Sequence, residues 1–171
     1  MVSVLTVIVA AGATAASLAA VTAPGGIAPR KVVTCDEAIA FTRGPQPGTR
    51  VLLGRAALPP ERFPSEPHAA PQNRPLPYFA KFGLQIHSGR EPVDVIVPRA
   101  WRTRLALNWG ENGGPAQSST IRVLPCGPVL GRSWLAFPGG YFLRKPACVP
   151  LIVRVGAKSA HIRLGIGRSC R

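Results

Sequence analysis

The stretch LIVRVGAKSAHIRLGI, residues 151–166, decides the fold class. Two apolar segments, residues 151–155 and 161–166, are separated by Gly156-Ala157-Lys158-Ser159. Each segment is short and rich in β-branched and aliphatic side chains, and the intervening residues favour a turn, so the stretch reads as a β-hairpin.

Working outward, the same pattern recurs. Val93, Val95 and Val97 alternate with Asp94 and Ile96, and Leu105, Leu107 and Trp109 alternate with Ala106 and Asn108. A period of two puts successive side chains on opposite faces of a strand. Ile121 and Val123 flank Arg122, while residues 135–137 and 141–143 bracket the turn signal Pro138-Gly139-Gly140. Residues 51–53 with 56–58, and 78–86, supply further apolar runs. Helical periodicity is nearly absent; residues 36–41 could form one helical turn capped by Thr34 or Asp36. The expected fold is all-β: a disulfide-linked antiparallel β-sandwich of about 7–9 strands, with a small β-barrel as the alternative.

Residues 59–77 differ from the rest. Seven of these nineteen residues are proline, and proline cannot donate to a sheet ladder. The segment reads as an extended loop lying over the sandwich edge or projecting from it.

The chain has 171 residues, of which 46% are hydrophobic. That suits one folded domain, assigned to residues 24–171, and argues against intrinsic disorder. Residues 1–23 read as a signal peptide or N-terminal anchor: residues 1–29 carry no charge, VSVLTVIV at residues 2–9 is an apolar core, and small residues follow. The leader lacks a basic start, and the first basic pair, Arg30-Lys31, lies beyond it. The preferred reading is that a few upstream residues are missing, with a membrane anchor as the alternative.

The cysteines, at positions 35, 126, 148 and 170, contain no C-x-x-C pair, so a zinc or thioredoxin-type site is not indicated. They are expected to form two disulfides, Cys126–Cys148 across a hairpin-like segment and Cys35–Cys170 between the domain's ends. Paired cysteines and a leader place the chain outside the cytosol, secreted or on the extracellular face of the membrane.

Basic residues number 21 against 7 acidic, giving a net charge of +14. Seventeen of the 21 are Arg, a preference that a GC-rich genome accounts for, whereas the shortage of acids remains. The densest basic cluster is Arg99-Ala100-Trp101-Arg102-Thr103-Arg104. Guanidinium forks match phosphate, sulfate or carboxylate, and an adjacent aromatic adds stacking. On a strand or bend Arg102 and Arg104 would point to one side. Arg99, Trp101, Arg102 and Arg104 are therefore the candidate anion-binding residues, with Arg163, Arg168 and Arg171 adding charge near the C-terminal end. The bland reading is a solvated face with Trp101 in the core. Specific nucleic-acid recognition is not indicated, because basicity alone binds weakly and in a salt-dependent way.

Catalytic motifs are missing. Gly131-Arg132-Ser133 continues as Trp134-Leu135, not as a nucleophile elbow, and no phosphate loop or His-Glu-x-x-His occurs. Glu91 with Asp94, or Asp94 with Glu111, could form a carboxylate pair, but in so basic a chain each acid reads better as an ion-pair partner. His87 and His161 read as structural, so no metal or cofactor is assigned.

The C-terminal half, from Pro98-Arg99-Ala100-Trp101-Arg102 through Gly139-Gly140-Tyr141-Phe142-Leu143-Arg144 and Cys148-Val149-Pro150-Leu151 to Gly165-Ile166-Gly167-Arg168-Ser169-Cys170, resembles small uncharacterised exported proteins of GC-rich Gram-positive bacteria. The resemblance implies export and paired cysteines and carries no activity or catalytic residue. The resulting expectation is a non-catalytic binding or structural module at the cell envelope, engaging an anionic polymer. A small secreted hydrolase and a protein–protein module using the Pro-rich loop are the alternatives.

Overall fold

The computed structural model describes residues 26–62, 66–70, 74–110 and 117–170. Fourteen strands lie among them. In chain order the first seven are β1 (Lys31–Val33), β2 (Ala40–Thr42), β3 (Arg50–Leu52), β4 (Ala56–Leu58), β5 (His68–Ala69), β6 (Tyr78–Lys81) and β7 (Leu84–His87). There follow β8 (Val93–Ile96), β9 (Leu105–Trp109), β10 (Thr120–Val123), β11 (Trp134–Phe137), β12 (Gly139–Leu143), β13 (Ala147–Val155) and β14 (Lys158–Ile166). Two short 3-10 turns, Cys35–Glu37 and Arg99–Trp101, are the only helical pieces among the described residues.

The strands form three sheets, ordered β1-β10-β8-β13-β14, β2-β11-β7-β4-β3 and β5-β6-β12-β9. All pairings are antiparallel except β1 with β10. The architecture is sandwich-like and all-β, without closure into a barrel. The strand count exceeds the expected number because the run of residues 78–86 is broken at a bend and because β1, β2 and β5 form where no strand was expected. Residues 78–86 were one apolar run in the sequence; the structure splits them into β6 and β7, which belong to different sheets.

The cause of that split is a shared corner. β7 pairs with β11 from His87↔Trp134 to Leu84↔Phe137, and β6 pairs with β12 from Lys81↔Gly140 to Tyr78↔Leu143. The register is the same in both, and Phe82 N donates to Gly139 O at 2.9 Å between them. The second and third sheets are therefore two halves of one ladder, bent at Phe82-Gly83 and Pro138-Gly139. Pro138 supplies no ladder donor. Gly139 has φ +145°, and a Cβ there would collide with the Asn108 carbonyl oxygen of β9. Residues 138–140 thus turn the chain from one sheet into the next rather than closing a hairpin.

One core joins all three sheets. Leu58, Leu84, Val95, Leu107, Trp109, Ile121, Leu135, Phe137, Tyr141, Val153 and Leu164 are fully buried together. Trp109 and Tyr141 meet edge to face at 5.1 Å, and the Trp109 indole donates to Phe82 O at 2.7 Å. The expected alternations hold at this level: Val93, Val95 and Val97 are buried, as are Leu105, Leu107 and Trp109. The hairpin of residues 151–166 is β13 and β14, paired from Ala147↔Ile166 to Val155↔Lys158. Its turn is tighter than expected, with only Gly156-Ala157 outside the ladder.

The described parts of the Pro-rich segment lie against two sheets, residues 61–62 beside β14 of the first and residues 68–70 and 76–77 along the third. His68 and Ala69 form a short edge strand against β6, and Leu76 is fully buried against Ala106 and Phe142 on that sheet's outer face. The expected helical turn begins one residue early, as the 3-10 turn Cys35–Glu37, with the Thr34 backbone N donating to Glu37 Oε1 at 2.9 Å.

All four cysteines are paired, but not as expected. The bonds are Cys35–Cys126 and Cys148–Cys170, in place of Cys126–Cys148 and Cys35–Cys170. The reason is strand pairing. β1 lies parallel to β10 with Val33 beside Val123, so Cys35 and Cys126 leave the two strands side by side, with Cα atoms 5.7 Å apart. Cys148 sits opposite Gly165 in the β13–β14 ladder, and the chain beyond β14 folds back over that glycine to bring Cys170 within 5.0 Å. Two disulfides are consistent with an oxidising compartment. The expected leader lies outside the described residues.

Candidate functional site

The sequence 98–104 is not a strand. Pro98 starts a series of tight turns, in which Trp101 N donates to Pro98 O, Arg102 N to Arg99 O and Arg104 N to Trp101 O, at 2.8, 3.3 and 2.8 Å. Successive turns separate the arginines instead of aligning them. Arg104 folds back so that its guanidinium stacks 4.3 Å from the centre of the Trp101 ring and donates to Ala100 O at 3.0 Å. Arg102 turns toward the carbonyl of Val97, 3.5 Å away. Trp101 is half-buried against the core, so it holds Arg104 on one side and packs on the other.

Trp101 and Arg104 form one wall of an open cleft of about 580 Å³. Lys145, Pro146, Ala147, Cys148, Arg168 and Ser169 line the rest of it. Lys145 and Pro146 lie in the connection from β12 to β13. Arg168 and Ser169 lie beyond β14, where the chain reverses. A Cβ at Gly165 would lie 2.5 Å from Arg168 O and 3.2 Å from Cys170 N, so the missing side chain is what lets this segment close down. The Cys148–Cys170 bond then fastens it against β13.

The cleft carries three cationic side chains, Arg104, Lys145 and Arg168, and none of its lining residues is acidic. Its lining suits an anion: two arginines, a lysine and the Trp101 indole border one opening together with Pro146 and Ala147.

Of the four expected anion-binding residues, Trp101 and Arg104 line this cleft and Arg99 and Arg102 do not. That departs from the expected patch, because the turns of residues 98–104 send alternate arginines in different directions. Arg168 joins from the far end of the chain. Lys145 was not singled out in the sequence, although Arg144-Lys145 immediately before an apolar strand was a legible basic signal. Arg171 lies outside the described residues.

The remaining chemical candidates are dispersed. Asp94 is buried in the first sheet and bound by Arg122, the Glu91 side chain packs against Gly156, and Glu111 lies outside the described residues. His87 packs against Trp134, His68 against Phe79, and His161 is exposed on β14. Among the described residues no group of three His, Cys, Asp or Glu side chains could hold a metal.

No family model, curated protein or solved structure matches the chain.

Proposed function

We propose that this is an exported, non-catalytic binding module that engages an anionic polymer at the cell envelope through the cleft between Trp101-Arg104 and Arg168-Ser169. The observation that carries the reading is the convergence of Arg104, Lys145 and Arg168 from three separated parts of the chain on one cleft without a lining carboxylate. The shortage of acids over the whole chain, 7 against 21 bases, supports an anionic partner through long-range attraction. Export rests on the apolar uncharged leader and the paired cysteines, and agrees with the resemblance to small exported proteins of GC-rich Gram-positive bacteria.

The test compares two double variants of equal charge. Arg104→Ala with Arg168→Ala removes both guanidinium walls. Arg43→Ala with Arg132→Ala removes two exposed arginines at the β2–β11 end of the second sheet. Binding to long-chain polyphosphate at physiological salt is expected to fall at least about tenfold more for the first pair. Equal losses would mean that net charge alone binds, and would overturn the reading.

A further inference from the structure

The main cleft does not end at Arg168. Arg168 and Ser169 also line a second opening of about 360 Å³, whose other side holds Arg62 and Glu66. A third opening of about 450 Å³ lies along the same hairpin, lined by Arg50, Arg163, His161 and Glu61. Glu61 and Arg62 are consecutive, and this segment is fastened to β14 by Gly165 N donating to Glu61 O at 2.7 Å. The main cleft and the third also share β13: Ala147 and Cys148 line one, Pro150 and Leu151 the other. The turn series beside β13 does likewise, with Trp101 and Arg104 at one cleft and Pro98 at the other. The three openings therefore meet around the end of the β13–β14 hairpin.

We infer that they form one continuous track for a linear polyanion rather than a pocket for a single small anion. The inference rests on the function proposed above and names its ligand class: a flexible chain bearing many phosphate-like charges. Along β13, Ala147 to Leu151 alone covers about 13 Å at the usual rise of a strand, further than one tetrahedral anion can reach. Six cations, Arg104, Lys145, Arg168, Arg62, Arg163 and Arg50, edge the track. Glu61 and Glu66 oppose an anion at the outer openings only. The main cleft is thus the anchor, and the outer openings add contacts only to a chain long enough to reach them. Each added contact is intramolecular once the anchor is engaged, so affinity grows with chain length without new surface on the protein.

The experiment titrates the protein with tripolyphosphate and with long-chain polyphosphate. Long chains are expected to bind at least about tenfold more tightly per chain, with a steeper loss of affinity on adding salt. Arg50→Ala with Arg163→Ala should weaken long-chain binding at least about threefold more than tripolyphosphate binding. Glu61→Gln should tighten the long chain alone. Equal affinity for both lengths, or a uniform loss for both in the Arg50 and Arg163 variant, would overturn the track while leaving the anion cleft standing. If Arg104→Ala with Arg168→Ala has no more effect than the Arg43 and Arg132 control, the proposed function itself fails.

Discussion

Asp94 and Arg122 face each other directly across β8 and β10, and two 2.7 Å bonds join the guanidinium to both carboxylate oxygens. Asp94 is almost wholly buried, its side chain 6% exposed, while Arg122 reaches solvent at 33%. The hydrogen bond that Arg122 donates to Asp94, and then the charge of Asp94, raise the Arg122 pKa above its ordinary range. Arg122→Leu would strand a buried carboxylate and is expected to lower the urea midpoint clearly. The double variant Asp94→Leu with Arg122→Leu should cost less than the sum of the two single changes. Urea denaturation checks both, and simple additivity would show that the pair is not coupled.

The two disulfides should separate stability from binding. Cys35–Cys126 closes 91 residues and Cys148–Cys170 closes 22, so chain entropy assigns them about 5 and about 3 kcal/mol. Replacing Cys148 and Cys170 by Ser should release Arg168 and weaken polyphosphate binding, although the stability loss is the smaller one. Replacing Cys35 and Cys126 should lower the thermal midpoint more and leave binding near wild type while the chain is folded. The reverse ranking for binding would remove the disulfide's role in building the cleft.

Alkaline pH should reveal two opposed groups. Complete burial raises the Tyr141 phenol well above its ordinary value of 10.0. The unfolded chain then releases this proton first, so its contribution to stability is intact below about pH 10 and is lost as pH rises further. Burial lowers Lys31, against a smaller raising effect from Glu37, and its ammonium is held by Asn108 Oδ1 and Gly110 O, each at 3.2 Å. Here the unfolded chain holds its proton longer, so stability rises as pH climbs toward 10.5. Tyr141→Phe should flatten the fall above pH 10 by up to about 1.4 kcal/mol per pH unit, and Lys31→Met should flatten the preceding rise. Unchanged slopes in chemical denaturation across that range would refute both assignments.

The corner at Gly139 gives a test of the bent ladder. Gly139→Ala places a methyl group against the Asn108 carbonyl oxygen at a φ of +145°, and is expected to cost about 3 kcal/mol or more. Gly127, with open space around its Cβ direction and no positive φ, should accept Ala within about 1 kcal/mol. Thermal denaturation ranks the two, and a tolerant Gly139 would mean that the corner can relax.

Much of the fold was legible because alternation is local. The buried valines of β8, the Leu105–Trp109 pattern and the β13–β14 hairpin follow from side chains two residues apart. The break at Pro138-Gly139 was legible as a turn, but not as a passage between sheets, since a proline and two glycines look alike in either role. The site was half legible. Trp101 and Arg104 stood out by composition, whereas Lys145 and Arg168 join them only because β13 and the segment after β14 are folded against residues 98–104.

By itself the sequence determined that the chain is all-β, that proline and glycine set its corners and that its excess charge is positive. Those properties depend on neighbouring residues and on counts. The tertiary structure decided which strands pair, which cysteines bond and which arginines share a cleft. Each of these choices brings together groups separated by tens of residues, and the packing of one core common to three sheets selects among them.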